Sequence, residues 1–280
     1  MILSVASGKG GTGKTTIAVS LALALNQSYQ VQFIDCDVEE PNAHLFLKPA
    51  ISESRQVFIP VPEVIESRCT YCGLCAEVCA YKAIAVVKGT VLIFSELCHG
   101  CGGCSLLCPE RALKEVGKRI GVMEIGTAGQ LSFIDGRLDV GQALSPPLIR
   151  ELKKNIEPGK MVIIDSPPGT SCPMVESVKN SDFCLLVTEP TPFGLNDLIL
   201  SVETLKLMKI PTGVIINRAG IGDGRVEEYC RREGLPVLMS LPFDRDIATA
   251  YSEGIPIWEA KPDYRSRFIE LFQRVQEMVR

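Results

Sequence analysis

The chain has 280 residues, 46% of them hydrophobic and 22% charged, with a formal net charge of -4. That length and apolar share allow one or two domains with a sizeable core and exclude a disordered chain; the acidic balance argues against a generic nucleic-acid surface. Eight of the twelve cysteines fall between Cys69 and Cys108, which excludes a small secreted scaffold with disulfides spread along it.

The opening Met-Ile-Leu-Ser-Val-Ala lacks a basic lead, and no stretch of about 18 uncharged apolar residues occurs, so neither a signal peptide nor a membrane span is expected. The expectation is a reduced, cytoplasmic, globular protein. In chain order, residues 1–6 read as a buried strand, 8–13 as a glycine loop, 15–26 as an apolar helix and 31–34 as a second strand. Further strands are expected at 161–164, 184–188, 213–216 and 237–241, with helices near 194–208, 223–233, 244–253 and 263–279. The strand runs are short, rich in Val, Ile and Leu, and lack polar alternation, as a parallel sheet covered on both faces requires. This alternation predicts an α/β fold, a doubly wound and mostly parallel sheet.

Residues 60–115 break the rhythm. Cys69, Cys72, Cys75, Cys79, Ala83 and Ile84 map onto Cys98, Cys101, Cys104, Cys108, Ala112 and Leu113 at a constant offset of 29. The expected organisation is one discontinuous domain, 1–59 and 116–280, interrupted by a small α+β insert at 60–115. Residues 116–145 read as hairpin or loop. In the last segment Phe268, Leu271, Phe272, Val275, Met278 and Val279 recur at helical spacing. Without a lysine-rich polar face, this helix is expected to cover the sheet rather than lie on a membrane.

Gly8-Lys-Gly-Gly-Thr-Gly-Lys-Thr15 satisfies G-x-x-x-x-G-K-[ST] between a strand and a helix. Its glycines (Gly8, Gly10, Gly11, Gly13) let backbone N–H groups turn toward phosphates, and the helix that follows adds the positive end of its dipole. Lys14 would reach the β- and γ-phosphates, and Thr15 would hold Mg²⁺. The second lysine, Lys9, together with Thr12 and Thr16, gives the form K-G-G-x-G-K-[ST]-T. This resembles the deviant Walker A loop of the MinD/ParA/Mrp-type ATPases, to which the nitrogenase iron protein is also similar.

The resemblance implies ATP or ADP with Mg²⁺ as ligands. It also implies a homodimer, or a heterodimer with a paralogous ATPase, in which Lys9 crosses to the partner's phosphates. Phe33-Ile-Asp-Cys-Asp37 then supplies Asp35 near the metal shell and Asp37 to orient the attacking water. Met161-Val-Ile-Ile-Asp165 resembles a Walker B strand with Asp165 at the metal's water shell, and Pro167-Pro168-Gly169 resembles switch II, with Gly169 facing the γ-phosphate. Ile215-Ile-Asn-Arg218 resembles the adenine-recognition segment through Asn217 and Arg218, and Leu241-Pro242-Phe-Asp244 the loop packed on the base. The match covers about residues 1–50 and 150–280.

Each cysteine run has the x2-x2-x3 spacing of bacterial ferredoxins, in which the fourth cysteine ligates the other cluster. The expected ligand sets are therefore crossed: Cys69, Cys72, Cys75 and Cys108 for one [4Fe–4S] cluster, and Cys98, Cys101, Cys104 and Cys79 for the other. Pro109 follows the second run, whereas Ala80 follows the first. Zinc usually takes separated C-x2-C pairs, often with His, and His99 has no partner histidine nearby. Redox-active thiols are the remaining alternative. The run resembles an inserted two-cluster ferredoxin domain found in a branch of MinD-like ATPases. Cys172, seven residues after Asp165, lies where the nitrogenase iron protein has a cluster ligand, but a second such cysteine is missing, and a buried or reactive thiol is the simpler reading. Cys36, Cys184, Cys230 and His44 read as structural.

Three outputs are compatible with this chain. The first is ATP-gated electron transfer to a redox partner. The second is delivery of an iron–sulfur or other metal cluster to an acceptor protein, although the C-terminal C-x-x-C of Mrp-like carriers is absent. The third is a positioning ATPase, which leaves eight cysteines without a task.

Overall fold

Residues 1–279 are described by a computed structural model. The first half contains β1 (Ile2–Ala6), α1 (Lys14–Leu25), β2 (Val31–Asp35), α2 (Ala43–Leu47), β3 (Ala50–Val64), α3 (Leu74–Val78), β4 (Ile84–Val87), β5 (Thr90–Ile93), α4 (Gly103–Leu106), β6 (Leu113–Ala128) and β7 (Leu131–Leu138). The second half contains α5 (Pro146–Lys153), β8 (Met161–Asp165), α6 (Cys172–Val178), β9 (Phe183–Thr188), α7 (Pro192–Met208), β10 (Thr212–Ala219), α8 (Arg225–Arg232), β11 (Val237–Pro242), α9 (Arg245–Ser252), α10 (Ile257–Ala260) and α11 (Tyr264–Val279).

Nine strands form one sheet in the order β11-β10-β9-β1-β8-β2-β7-β6-β3. Every neighbouring pair from β11 to β7 is parallel, while β6 and β3 add antiparallel strands at one edge. The central strands β2, β8 and β9 are buried along their whole length. Successive residues point to opposite faces, so both must be apolar. Leu3, Val5, Phe33 and Ile163 face a core shared with α1 and α11. Ala6, Leu186 and Val214 face one shared with α6, α7 and α8, and Ile34 and Ile164 face one shared with α5. The stripe Tyr264, Phe268, Leu271, Phe272 and Val275 of α11 is buried in the first of these cores, so the last helix covers the sheet. Among the described residues no helix is long and apolar enough to cross a membrane.

The edge departs from the expected layout. β3 and β6 pair from Ala50↔Thr127 to Val64↔Leu113, so the expected boundaries at 59/60 and 115/116 fall inside one continuous ladder. β6 pairs with β7 only from Gly121 to Ala128. Residues 57–64 and 113–120 therefore extend past β7 as a two-stranded ribbon, with residues 65–112 at its tip. Of the segment expected as hairpin or loop, most is strand: β6 and β7 meet at a turn where Gly129 has φ 62°, and α5 begins soon after.

The tip repeats its own backbone. Left-handed residues recur at the 29-residue offset as Tyr71 and Gly100, Gly73 and Gly102, and Lys82 and Arg111. Short 3-10 turns recur at Glu66–Arg68 and Ser95–Leu97. The amides of Ala83 and Ala112 each donate to the sulfur four residues earlier, Cys79 Sγ and Cys108 Sγ, both at 3.3 Å.

Candidate functional site

Parallel strands leave a crevice beyond their carboxyl ends, and here the loop from β1 to α1 fills its floor. Gly13, with φ 87°, starts α1 in the left-handed conformation, and a Cβ there would press on Asn217 Nδ2. Gly8 lies against the Asp197 carbonyl of α7, where a Cβ has no room. A cavity of about 400 Å³ opens above this loop, lined by Lys9 through Thr16, Asp37, Pro168, Asn217, Arg218 and Pro242. Phe243, from the stretch likened to the base-packing loop, adds an apolar wall together with Ile247, Ala248 and Tyr251; these last three carry no motif and were missed in the sequence. Of the residues expected to meet a nucleotide, all but Gly8, Asp35, Asp165 and Gly169 line this cavity, from loops scattered along the chain.

Lys14 is buried, with Nζ 2.8 Å from Asp165 Oδ1, 3.6 Å from Asp37 Oδ2 and 3.3 Å from Thr15 Oγ1. Burial would lower its pKa, but Asp165, then Asp37 and Asp35, outweigh burial and hold it raised. Asp35 is pushed up to about 7, chiefly by burial and then by Asp165, with Lys14 and two backbone amides opposing. Its oxygens accept the amides of Asp37, Asn42 and Ala43 at 3.0–3.2 Å, so Asp35 ties down the turn after β2 and does not line the cavity. Asp37 does line it, and burial raises it to about 6 against the pull of Lys14.

Asp165 Oδ2, Thr12 Oγ1 and Ser166 Oγ are buried without partners. Orphaned acceptors and hydroxyls beside a buried ammonium suit a triphosphate and the water shell of Mg²⁺, so the residues fit that ligand. The Gly169 amide donates to the Ser7 carbonyl at 2.9 Å, which ties the 167–169 segment to the residue that follows β1 and leaves that amide turned away from the cavity it was expected to face.

Glu189, at the end of β9, was not singled out in the sequence. It is buried, with Oε2 3.0 Å from Lys9 Nζ and Oε1 2.8 Å from Arg218 Nη1. The second contact is an ion pair without an aligned hydrogen bond. Asn217 Nδ2 donates to the Thr12 carbonyl at 2.8 Å. The signal for Glu189 was a carboxylate just past an apolar strand that borders β1. Its partners lie far off in sequence, which is why spacing could not reveal it.

At the ribbon tip the eight clustered cysteines surround two cavities. One is lined by Cys69, Cys72, Cys75 and Cys108, with Leu74, Val86 and Val91. The other is lined by Cys79, Cys98, Cys101 and Cys104, with Pro60, Pro62, Val78 and Ile84. Three thiols of each set come from one run and the fourth from the other. Among the described residues, no three His, Cys, Asp or Glu groups gather closely enough for a single metal ion. Four soft thiolates around a partly apolar cavity suit an iron–sulfur cluster, so the donor set fits that group. His99 lines the second cavity and stacks there on Tyr81 with centroids 3.6 Å apart. Cys172 is exposed at the start of α6. Cys36, Cys184 and Cys230 are buried, and burial raises all three thiols.

The family described as CobQ/CobB/MinD/ParA nucleotide binding domain matches residues 3–257. An uncharacterized protein of Methanocaldococcus jannaschii is 30% identical over 281 residues, covering 100% of this chain and 98% of its own length. A protein named iron-sulfur cluster carrier protein, of Aquifex aeolicus, is 26% identical over 278 residues, covering 94% of this chain and 63% of its own length. The septum site-determining protein MinD complexed with Mg-ADP, from Pyrococcus horikoshii, shares the fold with a TM-score of 0.61 at 21% identity, over 99% of this chain and 96% of that one. The match over nearly the whole chain, together with the loop, crevice and strand order, makes this protein a member of the CobQ/CobB/MinD/ParA family of P-loop ATPases.

Proposed function

We propose that this chain binds and hydrolyses Mg-ATP, closes on a second subunit when ATP is bound, and uses that cycle to gate electron transfer to a partner protein. A small ferredoxin-like insert, the expected 60–115, would hold two [4Fe–4S] clusters with the crossed ligand sets Cys69, Cys72, Cys75, Cys108 and Cys98, Cys101, Cys104, Cys79. The observation that carries this reading is continuity: the chain leaves the crevice at Asp37, runs out along β3 to the cysteine cavities and returns along β6. When bound, the clusters supply one-electron chemistry. Lys14 and the loop amides hold the phosphates, Thr15 and Asp165 serve the Mg²⁺ shell, and Asp37 orients the water. Asn217, Arg218 and Pro242 border the base. Free thiols in this number call for a reducing compartment, the cytoplasm.

The signature lysine meets an obstacle within its own subunit. Lys9 must leave Glu189 before it can reach a partner's phosphate. Because Lys9 is one-third exposed, the pair is partly screened and its cost is modest. Glu189→Gln is therefore expected to lower the protein concentration for ATP-dependent self-association by about fivefold, measured by sedimentation. Lys9→Ala is expected to abolish that association. Unchanged or weaker association in Glu189→Gln would remove this competition from the scheme.

A second reading, cluster delivery to an acceptor, is favoured by one observation: the relative named iron-sulfur cluster carrier protein aligns over 94% of this chain. Potentiometric EPR on anaerobically reconstituted protein, with and without ATP, separates the two. Gated electron transfer requires the potentials or reduction rates to respond to nucleotide. Delivery instead requires iron to leave for an apo-acceptor while the potentials stay fixed.

A further inference from the structure

Helix α5 occupies a position that the nucleotide reading does not use. At its carboxyl end, Lys153 Nζ donates to the carbonyls of Glu176, Ser177 and Lys179 at 3.0, 2.7 and 2.5 Å. These are the last carbonyls of α6 and its cap, which a helix leaves without intrahelical partners, and a cation there also complements the helix dipole. Since α6 begins at Cys172, soon after Gly169, Lys153 holds the far end of the helix into which the 167–169 segment runs. At the other end of α5, Ser145 Oγ donates to Glu39 Oε1 at 2.9 Å, and the Leu138 amide, just before that end, donates to the Val38 carbonyl at 2.9 Å. Residues 38 and 39 immediately follow Asp37, so the end of β7 and the start of α5 together hold the segment after Asp37, which would act as the first of two nucleotide switches.

Between these grips, Leu148, Ile149 and Leu152 are fully buried against Val57, Ile59, Val61 and Ile120 of the ribbon. Room for them comes from Gly121 and Gly136, where a Cβ would press into Leu148 and Leu152 respectively. The same core reaches Cys98, and Gly100 sits against Ile59 and Pro60. The cavity with Cys98 therefore rests on the root of the ribbon, whereas none of the residues around the Cys69 cavity joins that core.

We propose that α5 is the coupling element that carries the state of both nucleotide switches to the ribbon and its root-side cysteine cavity, with Lys153 as the positioning residue. This rests on the nucleotide-gated reading above. A close-packed element held at both ends moves as a body and does not deform gradually. A shift of α6 on ATP binding thus reaches the ribbon through three carbonyls and one ammonium.

The test is hydrogen exchange on the full chain, purified anaerobically, with and without ATP. In the wild type, ATP is expected to change exchange rates in residues 57–64 and 113–120 and in the tip by about tenfold. Lys153→Met keeps an apolar stem but loses all three donors. It is expected to reduce that change to less than about twofold while ATP turnover stays within about twofold of wild type. Lys153→Arg should restore it. If Lys153→Met does not fold, Ser145→Ala cuts the tie to the first switch and is expected to weaken the response. A wild type whose ribbon ignores ATP overturns the gated reading itself. A responsive wild type with an equally responsive Lys153→Met, or Ser145→Ala where that stands in, overturns only the role of α5.

Discussion

Lys14→Ala is expected to lower ATP turnover by about two to three orders of magnitude and, separately, to weaken the folded protein most at neutral pH. The first effect follows from losing the buried ammonium on the floor of the crevice. The second follows from the carboxylates it faces, Asp165 and Asp37 in contact and Asp35 behind them. Asp35 and Asp37 are raised to about 7 and about 6 even with Lys14 present. Between about pH 4 and pH 7 the folded state thus holds protons that the unfolded chain has released, and stability falls as pH rises through that window. Without Lys14 both groups rise further and the fall steepens. The deficit, up to about 3–5 kcal/mol for a buried charge left uncompensated, should be largest near pH 7 and should shrink toward pH 4, where Asp35 and Asp37 are neutral. Urea midpoints at the two pH values measure it, and Lys14→Met separates charge from cavity. Turnover within about threefold of wild type, or a deficit indifferent to pH, would contradict this account.

The next largest effect concerns the crossed thiol sets. In a Cys98/Cys101/Cys104→Ser background only the first run keeps its three thiols, and reconstituted protein should bind about four irons. Adding Cys108→Ala should remove them, whereas adding Cys79→Ala should leave them in place. The reverse pattern would mean that each run closes its own site. Iron and sulfide analysis together with the visible absorption of the cluster gives the answer, without reference to ATP or to any partner.

How much of this could be seen in the sequence depended on burial. β1, β2, β8, β9 and β10 announce themselves because both faces are covered and each reads as an unbroken apolar run. β3 and β6 are half-exposed. Their inward residues alternate with Glu53, Arg55, Lys114 and Lys118, so a strand period is mixed with charge and glycine. α5 is eight residues long and opens on Pro146 and Pro147, favourable at a helix start but easily mistaken for a loop. The phosphate loop and cysteine runs were legible because their chemistry fixes spacing. Glu189, Ser145 and Lys153 act through contacts formed only once the chain has folded, and no local pattern marks them.

The ribbon also sets a scale of movement. The part that extends beyond β7 spans about eight residues, or about 27 Å at the rise of an antiparallel strand. A rotation of about 10° at its root therefore carries the far end about 5 Å, roughly the spacing between neighbouring strands. On the proposed gating, small adjustments around a phosphate would in this way become a displacement large enough to bring the far thiols against another protein's surface or to withdraw them from it. The stiffness of a two-stranded ladder, shorter than a domain yet longer than a loop, would then make the distance to the proposed acceptor a quantity that the crevice sets.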